Sequence, residues 1–201
     1  CNTCPYSFYL GWYFPRNMAE LFRKYLLFDG ISEEEREQWA KVYREVVKKA
    51  TLAAGGKRLV LKNPANTGRA GAVRELFPGS KFIHIHRNPY EVFHSTMKLH
   101  RTLIPWLGVQ DIEEDAIRRN VLVFYRDMMR RFLEQRESLA ESDFTEVRFE
   151  DLAQRPVEEL ARIYRAIGLP GWEEAAPHVE EYVTTLRGYQ PDSYAMRPED
   201  V

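Results

Sequence analysis

Phe82-Ile83-His84-Ile85-His86-Arg87-Asn88-Pro89-Tyr90-Glu91-Val92-Phe93-His94-Ser95 is the stretch on which the fold turns. With Lys81 it begins as a short run of apolar and ring-bearing residues just after Pro78-Gly79, and that pattern predicts a strand over 81–86. Asn88 followed by Pro89 is a helix-start signal. Asparagine can cap free N–H groups, and the fixed φ of proline suits the first helical position. The helix is predicted to run from Pro89 to about His100. Strand, arginine and helix start in succession put Arg87 at the carboxyl end of a strand, beside unsatisfied N–H groups and the positive end of a helix dipole. In open parallel sheets ligands bind at that edge. A guanidinium stays charged and grips phosphate through parallel N–H donors, which makes Arg87 a candidate anion site. The competing reading is an arginine paired to a surface carboxylate. Ser95 lies about two turns into the helix, so its hydroxyl need not point where Arg87 points.

Working outward, Arg58-Leu59-Val60-Leu61-Lys62 reads as another strand, and residues 67–77 carry a helical pattern stopped by Pro78-Gly79. Two apolar runs joined by one helix predict a parallel strand–helix–strand crossover. Downstream, 111–140 reads as a long polar helix whose buried stripe is Ile117, Val121, Phe124, Tyr125, Met128, Phe132 and Leu133. Thr145-Glu146-Val147-Arg148-Phe149 is a third strand candidate. Pro156 opens a helix with Leu160, Ile163, Tyr164 and Ile167 inward, ending at Gly168. Nearer the start, a helix is expected over 15–28, broken by Asp29-Gly30. Ser32 with Glu35 forms a capping-box pattern that opens a helix to about Ala53, ended by Gly55-Gly56. Residues 187–201 read as loop. The sum is an α/β fold, a parallel sheet covered by helices, in one domain.

Composition narrows the function. The chain has 201 residues, 44% hydrophobic and 29% charged, which argues against disorder over most of its length. With 29 basic and 30 acidic residues the formal charge is -1, excluding a protein that works by bulk positive charge on nucleic acid or anionic lipid. No apolar run approaches the roughly 18 residues of a membrane helix. Cys1 and Cys4 alone cannot make a four-ligand zinc site. The lack of a disulfide framework or an Asn-x-Ser/Thr acceptor favours a reducing compartment, and a cytoplasmic location is expected.

The pattern of strand, Arg87-Asn88-Pro89 and then Ser95 resembles the sulfotransferases that use 3′-phosphoadenosine 5′-phosphosulfate. Two further blocks agree in order: Lys62-Asn63-Pro64-Ala65-Asn66, and Val147-Arg148-Phe149-Glu150-Asp151-Leu152 followed by Pro156. The match covers about residues 58–170 and is nearest to the broad bacterial and Golgi-type group. The resemblance implies a P-loop-like sulfotransferase fold and sulfuryl transfer to a hydroxyl or amine of a small-molecule, glycan or lipid acceptor. It implies that Arg87 and Ser95 hold the 3′-phosphate, that Phe149 lies near the adenine, and that Lys62 stabilises charge on the moving group. It implies no metal and no nucleic-acid partner.

The sequence also departs from that family. Where the cytosolic phenol and steroid enzymes place a catalytic His, this chain has Pro64, and nearby Asn66 cannot act as a base. The segment resembling Arg/Lys-Ser-Gly-Thr-Thr that binds the 5′-phosphosulfate does not occur in these 201 residues. The expectation is that the first strand and loop of the domain lie outside them, with the catalytic base, and that these residues are the carboxyl-terminal two-thirds of a domain. Two other readings stay open: a kinase-like phosphotransferase on the same sheet architecture, and a non-catalytic nucleotide-binding or assembly module. His84 and His86 read as core histidines, and Arg119, Arg126 and Arg130 as a solvated helix face. Arg187-Gly188-Tyr189 stands where the family has a loop over the 3′-phosphate. The aromatic run 6–14 is either core packing or the wall of an acceptor pocket.

Overall fold

The computed structural model describes residues 8–186, so the readings of Cys1, Cys4 and 187–201 lie outside the described residues. In chain order the elements begin with one turn, α1 (Leu10–Tyr13), and a 3₁₀ turn (Pro15–Asn17). Then come α2 (Met18–Phe22), continued by a wider π turn (Arg23–Leu27), and α3 (Glu33–Ala53). A second 3₁₀ turn (Pro64–Arg69) leads into α4 (Ala70–Leu76), β1 (Phe82–His86), α5 (Pro89–Leu107) and α6 (Glu114–Arg136). The chain continues through β2 (Phe144–Arg148), α7 (Phe149–Gln154), α8 (Pro156–Ala166) and α9 (Trp172–Thr185). The fold is helix-rich α/β, with a small parallel sheet of β1 and β2 among the described residues. None of its described helices is long and apolar enough to cross a membrane.

The described residues divide into two compact units, one of 8–79 with 97–138 and one of 80–96 with 139–186. In the first, Phe22, Leu26, Leu27 and Ala65 form a buried cluster, with Phe8, Phe124 and Met128 packed against it. Phe22 and Phe124 stack with centroids 4.1 Å apart and planes 10° from parallel. Phe8 thus takes the core role open to the aromatic run, whereas Tyr13 and Phe14 are exposed. The helix that precedes α3 ends at Phe28, whose φ of 63° is left-handed. Arg131 of α6 meets that end, donating from Nη1 to the Leu27 carbonyl at 2.7 Å and from Nη2 to Asp29 at 2.6 Å. These bonds satisfy a carbonyl that a helix terminus leaves without an intrahelical donor.

The capping box forms as expected. Ser32 Oγ accepts from the Glu35 amide at 3.1 Å, and Glu35 Oε2 accepts from the Ser32 amide at 3.0 Å. The other oxygen of Glu35 takes Lys24 Nζ at 2.8 Å and the Tyr25 hydroxyl at 3.2 Å, tying α3 to the helix before it.

In the second unit β1 and β2 run parallel, with Phe82 opposite Phe144 and His86 opposite Arg148. Lys81 Nζ clamps the strand starts, donating to Asp143 at 2.6 Å and to the Ser142 carbonyl at 2.9 Å. His84 Nδ1 lies 3.1 Å from Glu146 Oε1 of its register partner. Val147, Ile163 and Ile167 are buried together, with Leu152, Leu160 and Leu169 around them. The sheet is covered unevenly. Val147 is 2% exposed while Ile85, its neighbour across the pair, is 53% exposed.

Several expectations are corrected, among them His86 as a core histidine, since it is exposed. Residues 58–62 form no strand: residues 57–63 are irregular, and Val60 is 91% exposed. An apolar run becomes a strand only where a neighbour accepts its ladder bonds, and among the described residues none pairs with this one. The predicted crossover therefore lacks its first strand here. Phe149 does not end β2 but opens α7. Leu133 is half exposed rather than part of the buried stripe of α6, although Ile117, Val121 and Phe132 are buried as expected. Helix α5 also runs on to Leu107, through Pro105, well beyond His100. Arg119, Arg126 and Arg130 are exposed, as a solvated face requires.

Two predictions follow from the first unit. A Cβ at Gly68 would lie 2.5 Å from Leu26 Cδ2 and 3.1 Å from Leu27 Cδ2. Both leucines are 3% exposed, so the new methyl must displace packed side-chain ends, and Gly68→Ala should cost about 1–3 kcal/mol in denaturant unfolding through overpacking. Secondly, the hydrogen bonds from Lys24 and the Ser32 amide lower the Glu35 carboxyl from 4.5 to about 2. A carboxyl held down in the folded state stabilises above its unfolded value and loses that contribution as pH falls toward the folded one. Glu35→Gln should therefore be less stable near neutrality, and its melting temperature should fall less steeply between about pH 4.5 and about pH 2. Parallel acid-series melts of the two proteins check this.

Candidate anion-binding site

The parallel register builds the site. His86 pairs with Arg148, so the next residues, Arg87 and Phe149, leave the sheet side by side at its carboxyl edge. Each begins a new path, Arg87 into the turn before α5 and Phe149 as the first residue of α7. The Arg87 guanidinium carbon lies 4.6 Å from the Phe149 ring centroid, a close cation–π contact. Arg87 Nε donates to Glu91 Oε2 at 2.6 Å. Both partners keep about a quarter of their side chains exposed, 22% and 27%. The surface-carboxylate reading of Arg87 is thus satisfied, at the same sheet edge that the anion reading requires.

The helix start expected from Asn88-Pro89 is present. Asn88 Oδ1 accepts from the Tyr90 amide at 3.0 Å, and the Asn88 carbonyl accepts from the Val92 amide at 3.1 Å. Asn88 therefore caps the first turn of α5, whose positive dipole end faces the turn that carries Arg87. Ser95 is exposed on α5 within the same compact unit. Of the sequence-derived site residues, Arg87 and Phe149 are brought into direct contact, and Ser95 lies on the adjoining helix.

Lys62 belongs to the first unit. It is exposed in the irregular stretch rather than at a strand end. The residues after it are anchored. Asn63 Oδ1 accepts from the Ala65 amide at 3.1 Å, and Asn66 Nδ2 donates to the Tyr43 hydroxyl at 3.1 Å. In the third block Glu150 and Asp151 lie 3.9 and 4.0 Å from Arg148 Nε. Asp151 also pairs with Arg155 Nη2 at 3.3 Å.

Glu91 is the site residue that the sequence reading missed. Its signal was there, an acid four positions after Arg87 and in the first turn of a helix. Both features favour a carboxylate, the first by side-chain reach and the second by the dipole. Chemically, the edge offers a permanent cation, a flat aromatic face beneath it and a helix N-terminus. That set suits an anion.

A sequence profile described as "Sulfotransferase family" matches residues 15–174. The chain is 33% identical over 191 residues to the omega-hydroxy-beta-dihydromenaquinone-9 sulfotransferases of Mycobacterium bovis and Mycobacterium tuberculosis. The alignment covers 95% of this chain and 49% of each relative, so the chain spans about half the length of the curated relatives it matches. No solved structure matches significantly.

Proposed function

Because the chain belongs to the sulfotransferase family, we propose that the protein containing it transfers a sulfuryl group from 3′-phosphoadenosine 5′-phosphosulfate to a hydroxyl of a small, lipid-like acceptor. The observation that carries the donor assignment is the pairing of Arg87 with Phe149 at the carboxyl edge of β1, beside the start of α5. The lipid-like hydroxyl is suggested by the name of the mycobacterial relatives. It narrows the hydroxyl-or-amine expectation to one of its two options.

In this reading Arg87 and Ser95 hold the 3′-phosphate, and Phe149 supports the adenosine end of the donor. The donor supplies an activated sulfuryl group, and the work of the protein is to position it and stabilise developing charge, as in phosphoryl transfer. Lys62 is proposed as a mobile cation that meets charge on the moving group. An exposed ammonium on an irregular segment has the freedom for this, and the anchored Asn63 and Asn66 fix the base of that segment.

The grip on the 5′-phosphosulfate is assigned to residues outside these 201. Two observations support this. The sequence lacks a phosphate-cradling loop of the Ser-Gly-Thr-Thr kind, and Ile83 and Ile85 on β1 keep apolar surface that a sheet normally buries. The catalytic base is assigned to the same outside segment by the resemblance, since this chain has Pro64 where the cytosolic enzymes place their His.

The donor assignment is tested by calorimetry on the full-length protein with adenosine 3′,5′-bisphosphate and with AMP. The bisphosphate should bind more tightly, and Arg87→Ala should remove about 10- to 100-fold of its affinity, the value of one charge-assisted contact. Equal affinity for the two ligands overturns the assignment. For Lys62, the alanine variant should lower kcat by about 100-fold while bisphosphate affinity changes by less than about tenfold. Lys62→Arg should also be impaired, because a planar fork does not replace a compact charge. Steady-state kinetics beside the binding measurement separates the two effects, and a kcat within a few-fold of wild type removes Lys62 from the mechanism.

A further inference from the structure

We propose that Tyr43 of α3 is a positioning residue for sulfuryl transfer, acting through Asn66 on the turn that carries Lys62. The inference rests on the Lys62 reading above. Asn66 Nδ2 donates to the Tyr43 hydroxyl at 3.1 Å, and the hydroxyl lies 3.4 Å from Asn66 Oδ1. Among the described residues, no other side-chain hydrogen bond joins residues 57–66 to another element. The Tyr43 ring is itself held. Trp39 of the same helix lies 5.2 Å from it, and Phe77, just past α4, lies 6.1 Å away. Trp39 is buried. The hydroxyl is therefore presented at a fixed point, not by a side chain free to change rotamer.

Two anchors hold the turn, and they do different things. Ala65 is 1% exposed in the cluster of Phe22, Leu26 and Leu27, which fixes its depth. One buried methyl leaves rotation about that point open. The bond from Asn66, one residue further on, closes it. Between Ala65 and Lys62 the chain is stiff. Pro64 has a fixed φ, Asn63 Oδ1 accepts from the Ala65 amide at 3.1 Å, and the Asn66 amide donates to the Asn63 carbonyl at 3.0 Å. A rotation at Asn66 is therefore passed on to Lys62 rather than absorbed. Three residues reach about 10 Å, so a pivot of about 20° would carry Lys62 by about 3 Å. Displacing a charge that must meet developing charge lowers the rate. The flexible stem of Lys62 recovers part of that loss, which sets the expected effect at about tenfold. A tie that served stability alone would leave the turnover of the folded enzyme unchanged.

The test is a set of variants of the full-length protein, assayed well below the melting temperature of each. Tyr43→Phe keeps the ring contacts and removes only the hydroxyl. It should lower kcat by about tenfold, with acceptor KM and adenosine 3′,5′-bisphosphate affinity within about twofold of wild type. Asn66→Ala removes the other half of the bond and should show the same split, which preserves the test if Tyr43→Phe does not fold. The double variant should lose no more than either single one. In a Lys62→Ala background, Tyr43→Phe should change kcat by less than about twofold, because residues that act through one another are not additive. An unchanged kcat in Tyr43→Phe overturns the proposal. So does a tenfold loss that persists in the Lys62→Ala background, since Tyr43 would then act on something other than Lys62. A Lys62→Ala enzyme with kcat near wild type is a different result: it removes the Lys62 reading itself, and this inference with it.

Discussion

The parallel register between Phe82–His86 and Phe144–Arg148 is the constraint on which the candidate site depends. Neither Arg87 nor Phe149 lies on a strand, yet each is the first residue beyond one, and the pairing of His86 with Arg148 brings them together. Side chains alternate across a sheet, so a slip of one residue would turn Val147 out of its cluster with Ile163 and Ile167. The apolar packing that locks the register therefore also sets the geometry of the cation. Lys81, bound to Asp143 and to the Ser142 carbonyl, reinforces the same register from the opposite end of the strands.

The charge around Arg87 shows how one residue can satisfy two descriptions. An arginine paired to a carboxylate is an ordinary surface feature, and exposed pairs of this kind contribute little to stability. Here the pair stands over an aromatic ring and beside a capped helix start. Those neighbours make its orientation, rather than its energy, the property of interest.

Local signals were legible where one segment decides its own conformation. The Ser32–Glu35 capping box, the Asn88-Pro89 start of α5 and the inward face of α8 at Ile163 and Ile167 all follow from short-range patterns. Arg87 as a sheet-edge cation could be read the same way, because strand and helix start flank it directly. The failures lie where the answer is non-local. Residues 58–62 have a strand-like composition but no ladder partner among the described residues, and composition cannot report a missing partner. Phe149 looked like the end of β2 because apolar character does not mark the point where pairing stops. Glu91 escaped notice because an acid in a first helical turn already has a sufficient local explanation.

The second compact unit is discontinuous in the chain, with 97–138 counted to the other unit between its two parts. During synthesis the ribosome releases β1 and Arg87 long before β2 exists. Until residue 149 has emerged there is no ring for the guanidinium to rest on, and closing so long a connection carries its own entropic delay. The nascent chain thus passes through a stage in which β1, with its apolar Ile83 and Ile85, has an unpaired edge on which other strands could form. The histidines and lysine interleaved in Lys81-Phe82-Ile83-His84-Ile85-His86 supply polar interruptions in that segment, which temper self-association while its partner strand is still being made.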